Sequence, residues 1–70
     1  MQIATLNSSV IRQVRYDANR KILEMTLIDH RRYRYFYVPE PIFMGLMATN
    51  SPGRFYNNRI KGQFPVESLG

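Results

Sequence analysis

Seventy residues leave room for one small core and no second domain, and ten Lys+Arg against five Asp+Glu give a net charge of +5. The absence of cysteine excludes a disulfide framework and thiolate zinc sites, and a single histidine excludes a paired-imidazole metal site. A hydrophobic content of 44% with 13% aromatics belongs to a folding chain, so the totals point to a basic binding module rather than an enzyme.

Met1 to Val10 (MQIATLNSSV) carries neither a basic segment nor an apolar run of the kind a secretory leader needs. Its first residues are expected to be a short tail before a domain core of about 7–65. The longest apolar-leaning stretch, Pro39 to Ala48, is broken by Glu40, Pro41 and Gly45 and falls well below the ~20 residues of a membrane span. No membrane association is therefore expected, and the cysteine-free composition suits the cytoplasm.

Val10 to Tyr16 mixes β-branched and polar residues, and Asp17-Ala18-Asn19-Arg20 supplies turn chemistry. Lys21 to Ile28 alternates, with Leu23, Met25 and Leu27 on one face and Glu24 and Thr26 on the other. Arg31 to Val38 alternates as strictly: Tyr33, Tyr35 and Tyr37 share one face, Arg32, Arg34, Phe36 and Val38 the other. These three strands form an antiparallel meander. Side chains paired across such strands share a face, so the loop length decides the core. A two-residue turn at Asp29-His30 pairs Met25 with Arg34 and sets guanidinium groups among leucines. A three-residue loop at Ile28-Asp29-His30 pairs Met25 with Tyr33 and Leu23 with Tyr35. The cost of desolvating an arginine selects the second register, which puts His30 in the left-handed region.

Pro39-Glu40-Pro41 ends the third strand and starts a helix expected from Pro41 to about Thr49, with Ile42, Phe43, Leu46 and Met47 as its apolar stripe. Ser51-Pro52 reads as the N-cap and first position of a second helix, Pro52 to Ile60. Gly62 suits the left-handed position after it, Pro65 lies beyond, and the last five residues read as a tail. The expected fold class is α+β, a three-stranded meander followed by one or two short helices packed on one face. So small a core is marginal alone, which leaves room for a homodimer or a protein partner.

On the uncovered face Arg32 and Arg34 stand with Phe36, a phosphate-tracking surface with an aromatic for base stacking, or else a plain solvated face. Arg12 and Arg15 have opposite parity with respect to that face, so only one of them joins it. The tyrosine row reads either as a stacking platform or as half-buried core with hydroxyls at the rim, and the parity favours core. Arg54, Arg59 and Lys61 form a second basic cluster, where Ser51, Gly53 and Arg54 at a helix start can hold an anion or merely cap. Asn57 and Asn58 beside them can hydrogen-bond bases or backbone. No spacing unites His30, Asp29, Ser8 and Ser9 into a catalytic set, and Asp17, Glu24, Asp29, Glu40 and Glu67 are too scattered for a carboxylate pair or metal cage. No catalytic residue, metal or cofactor is expected. The expected function is RNA binding centred on Arg32, Arg34 and Phe36, with Arg12, Arg54, Arg59 and Lys61 as flanking phosphate contacts. The competing expectation is a protein-interaction module using an exposed strand edge and aromatic anchors.

Taken together in their order, Ser8-Ser9-Val10-Ile11, Val14-Arg15-Tyr16-Asp17, Leu23-x-Met25-x-Leu27, Tyr33-x-Tyr35, Val38-Pro39, Leu46, Ser51-x-Gly53-x-Phe55-x-Asn57 and Ile60-x-Gly62 resemble the KTSC domain. That module is named for its place at the C-terminus of some lysyl-tRNA synthetases and also occurs alone. The resemblance spans roughly Asn7 to Pro65, with Tyr33 and Tyr35 as the family's hallmark pair. It implies no established activity, and RNA binding as a suggestion. The chain departs from the family's pattern at Arg15 and near His30, where glycine is usual.

Overall fold

A computed structural model describes all 70 residues, Met1–Gly70. One antiparallel sheet runs in chain order through β1 (Gln2–Thr5), β2 (Ile11–Asp17), β3 (Ile22–Leu27), β4 (Arg32–Tyr35) and β5 (Val66–Ser68). Between β4 and β5 the chain forms helix α1 (Glu40–Ala48) and the single turn α2 (Pro52–Phe55), which passes directly into a π-helical turn over Tyr56–Ile60. The architecture is α+β, with the helical segments on one face of the sheet.

The register across β3 and β4 is the one that side-chain parity demands. Leu23 lies opposite Tyr35 and Met25 opposite Tyr33, while Glu24 and Thr26 lie opposite Arg34 and Arg32. The connection is the three-residue loop Ile28-Asp29-His30, closed by the bonds from Leu27 N–H to the Arg31 carbonyl (2.8 Å) and from His30 N–H to the Leu27 carbonyl (3.0 Å). His30 sits at φ 72°, the backbone region in which glycine is the ordinary choice. Gly62, after the helical segment, likewise takes φ 78°.

The sheet has five strands, not three, because both expected tails pair. Gln2, Ile3, Ala4 and Thr5 lie opposite Tyr16, Arg15, Val14 and Gln13, and Val66 and Ser68 lie opposite Tyr35 and Tyr33. Both segments are too short for their alternation to register, but β2 and β4 otherwise leave a row of unpaired backbone groups at each edge. The second helix is also not uniform. In the π-turn Lys61 N–H reaches back to the Tyr56 carbonyl at 2.8 Å, and this wider turn turns both Tyr56 and Ile60 into the core.

A further correction concerns the end of β4. The strand stops at Tyr35, and Tyr37 takes φ 61°, so the alternation breaks. Tyr37 is 76% exposed, while Val38, expected on the other face, is fully buried. Val38 N–H bonds the Lys21 carbonyl at 2.9 Å, and the Val38 carbonyl accepts the Tyr16 hydroxyl at 2.6 Å. All twelve buried residues are hydrophobic. Helix α1 contributes Phe43 and Leu46, and the Phe43 ring stacks on Tyr16 with centroids 4.6 Å apart at 11°.

A bulky residue in the left-handed region costs about 1–2 kcal/mol, which glycine avoids at an unfolded-state cost of roughly 0.5–1 kcal/mol. Tyr37→Gly is therefore expected to raise the urea midpoint by the equivalent of up to about 1 kcal/mol, whereas Tyr37→Ala gives no gain. A lower midpoint for the glycine variant would show that the exposed ring contributes more than its backbone costs.

Candidate nucleic-acid interface

The register sets Arg15 on β2, Glu24 on β3, Arg32 and Arg34 on β4 and Glu67 on β5 along the open face of the sheet. Arg34 is not free there. Its guanidinium meets Glu24 Oε2 at 3.1 Å and Glu67 Oε1 at 3.2 Å, so two carboxylates surround one cation. Glu67 reaches it only because β5 joins the sheet. Arg15 Nη2 donates to Met1 Sδ at 3.2 Å, and Arg32 has no ionic partner. Arg15, Arg32 and Arg34 are thus interleaved with Asp17, Glu24 and Glu67, while Arg20 at the margin of this face lies 3.9 Å from Asp17, so cations and carboxylates alternate here. Phe36 lies half-buried beside Ile22 at a cavity of about 220 Å³ that is also lined by Arg15, Arg20, Arg34, Asp17 and Glu24.

Arg12 does not belong to the open face. The pairing of β2 with β3 shifts between Ile11 and Gln13, and this bulge turns Arg12 toward the hairpin, with Nη1 3.4 Å from His30 Nδ1. A guanidinium only donates, so that imidazole nitrogen acts as acceptor. Arg31 is held by Asp29, with Nε and Nη2 each 2.6 Å from Oδ2. The hydrogen bond from Arg31 holds the Asp29 carboxyl below its ordinary pKa, aided by the neighbouring positive charge.

The helix side differs in charge. No acidic residue occurs anywhere in 41–66, which contains Arg54, Arg59 and Lys61. A cavity of about 620 Å³ opens between the loop Asn7–Val10 and the segment Asn50–Asn58, walled by serines, asparagines and Arg54. A second, of about 340 Å³, shares Val10 and Asn57 with the first and extends to Lys61, Arg31 and the three tyrosines Tyr33, Tyr35 and Tyr56. A third, of about 260 Å³, lies between Arg54, Phe55, Asn58 and Arg59. None of the three is lined by a carboxylate. Arg54 and Lys61 have no ionic partner, and the Arg59 guanidinium lies 5.7 Å from the centroid of the Phe55 ring.

The walls of this cleft are fixed by local bonds. The Ser8 hydroxyl oxygen accepts the N–H groups of Val10 (3.1 Å) and Ile11 (3.2 Å), which holds the loop in shape. Val10 then packs onto Gly53, where a Cβ would come within 2.9 Å of Val10 Cγ2. Only glycine allows that approach. Ser51 precedes α2 without a side-chain cap, and a helix of four residues has no useful dipole, so the anion-holding helix start drops out. Of the hallmark tyrosines, Tyr35 is part of the buried core. Tyr35 and Tyr56 share a hydrogen bond at 2.7 Å, and burial above all, then that bond, pushes the Tyr35 pKa well above the ordinary range. Tyr33 is half-buried, its ring tilted at 48° to that of Tyr35.

The seven expected contact residues therefore do not form one surface. Arg32, Arg34 and Phe36 lie on the sheet face, Arg12 at the hairpin, and Arg54, Arg59 and Lys61 on the helix side. The wall formed by Asn7, Ser8 and Ser9 was not among them, because no spacing shows that this loop faces Asn57 and Asn58. No group of histidine, cysteine and carboxylate side chains is arranged to hold a metal, and no helix is long and apolar enough to cross a membrane.

The chain matches the model of the KTSC domain over residues 7–64. It is similar to a protein of Tsukamurella paurometabola, 34% identical over 64 residues that span 91% of this chain and 96% of that one. An uncharacterised protein of Stutzerimonas stutzeri is 35% identical over 63 residues, spanning 90% of this chain and 89% of that one. The crystal structure of a KTSC domain protein from Yersinia pestis superposes with a TM-score of 0.93 at 33% identity, over 99% of this chain and 97% of that one. Five strands, the inward tyrosine pair and the family pattern agree: this chain belongs to the KTSC domain family.

Proposed function

We propose that this domain is a non-catalytic, cytoplasmic RNA-binding module whose contact surface is the carboxylate-free group of cavities around Arg54, Arg59 and Lys61 rather than the open sheet face. The observation that carries this reading is the charge asymmetry. Three adjoining cavities lined by Arg54, Arg59, Lys61, the Asp29-paired Arg31 and uncharged polar and apolar side chains contain no carboxylate, while both cavities on the sheet face contain Glu24. Free protein cations bind phosphates by releasing the counterions condensed on the nucleic acid, and a guanidinium already clasped by two carboxylates has little to offer. Arg32 remains an accessory contact at most.

Each phosphate neutralised on a single strand contributes about −0.7 to the slope of log affinity against log salt. Replacing Arg54, Arg59 and Lys61 with alanine is expected to make that slope shallower by about 2 and to weaken binding of a short labelled RNA at low salt. Arg34→Ala is expected to leave the slope unchanged. Fluorescence anisotropy across a salt series reads both, and the opposite pattern would return the contact surface to the sheet face. A protein-interaction role has one observation in its favour: the outer edge of β1 is unpaired, and Ile3 on it is 59% exposed. Partner binding or homodimerisation there would persist at high salt, which sedimentation at moderate salt distinguishes.

A further inference from the structure

We infer that the cleft between Asn7–Val10 and Asn50–Asn58 is a subsite for one unstacked base of single-stranded RNA, an inference that rests on the RNA-binding reading above. Its volume of about 620 Å³ falls within the usual range of small-ligand sites, roughly 300–1,000 Å³. Its chemistry is unusual for a charged surface. The lining holds the four asparagines Asn7, Asn50, Asn57 and Asn58, three serines, one apolar residue at Val10 and one cation at Arg54.

A carboxamide offers a donor and an acceptor side by side, which matches the paired groups on a base edge. None of these four amides is hydrogen-bonded within the chain, so a base engages them by displacing water and breaks no bond inside the protein. The main chain of the walls is preorganised by the Ser8 bonds and by Val10 seated on Gly53, so the ordering cost of binding is confined to the side chains. Val10 supplies an apolar contact for the ring. Arg54 at this cleft, and Lys61 in the adjoining one that shares Val10 and Asn57, stand where phosphates flanking the base would run. Duplex RNA does not fit the same chemistry, because its base edges are paired and its deep groove excludes side chains.

The test compares the wild-type domain with a variant carrying Asn57→Ala and Asn58→Ala, on single-stranded homopolymers of each base and on duplex RNA. Both side chains are exposed, so thermal midpoint and circular dichroism are expected to match wild type. The wild type is expected to prefer one homopolymer and to bind duplex more weakly. The variant is expected to lose about tenfold or more on the preferred homopolymer, with the salt slope unchanged. Arg54→Ala is expected to do the reverse, weakening all homopolymers alike and making the slope shallower by about 0.7. Equal affinity of the wild type for every homopolymer, or equal affinity for duplex, overturns the base subsite while leaving the RNA-binding reading in place. Absence of binding to any RNA at low salt overturns both.

Discussion

Phe43→Ala is expected to remove about half of the folding stability of the domain. The ring is 2% exposed and stacks on Tyr16 at 4.6 Å, so its truncation removes a large apolar surface and opens a void that α1 alone cannot close. Such losses cost roughly 3–5 kcal/mol. A domain of 70 residues, at roughly 0.05–0.15 kcal/mol per residue, has only about 4–10 kcal/mol in total. The damage also reaches beyond the contact itself. Tyr16 holds the chain reversal after β4 through its 2.6 Å bond to the Val38 carbonyl, and the stacked ring keeps that phenol in place. The neighbouring Met44→Ala is the control, since Met44 is 54% exposed and is expected to change stability by less than about 0.5 kcal/mol. Urea denaturation followed by circular dichroism measures both. A Phe43→Ala loss as small as that of Met44→Ala would mean that the Tyr16 stack does not anchor α1.

Arg34→Glu and Arg32→Glu are expected to part company, although the two arginines alternate on one strand and share one face. At position 34 a carboxylate would stand between Glu24 and Glu67, replacing two attractive contacts of 3.1 and 3.2 Å with two repulsive ones. Single contacts of this kind contribute only about 0.2–1 kcal/mol, but four changes of the same sign sum to about 1–4 kcal/mol. Strand β5 is the part most exposed to this loss, because it is three residues long and each of them is exposed. Arg32 lies opposite Thr26 and has no ionic partner, so its reversal is expected to stay within about 0.5 kcal/mol. Thermal midpoints, with amide exchange of β5 as the local readout, separate the cases. Equal midpoints would remove the clasped guanidinium from the account of how β5 is held. A charge reversal of both residues is accordingly no clean test of the sheet face as a binding surface, since any lost affinity would be mixed with lost structure.

Much of the central hairpin is legible in the chain because its information is local. Alternation at i and i+2 sorts Leu23, Met25 and Leu27 from Glu24 and Thr26, and Tyr33 and Tyr35 from Arg32 and Arg34. The cost of burying an arginine then permits one loop length only. The left-handed His30 follows from that loop, and the proline at the start of α1 follows from its missing N–H. Tyr37 shows where local reading fails. Continued alternation puts its ring in the core, but the chain must leave the sheet to begin α1, and a single left-handed residue turns Val38 inward instead.

The candidate site was less legible for the same reason. Basic residues can be counted along the chain, whereas which of them are free depends on where the carboxylates arrive in space. Glu67 belongs to a segment too short to read as a strand, yet it neutralises Arg34 from across the sheet. Likewise, Ser8 and Ser9 stand beside Asn57 and Asn58 only after the sheet brings the start of β2 against the turn α2. From its sequence alone this protein is a basic, single-core α+β chain with its tyrosine pair turned inward, because period and parity act between near neighbours. Tertiary structure alone decided the fate of its two ends and which face keeps unpaired cations, because backbone pairing and charge cancellation act between residues that the chain keeps far apart.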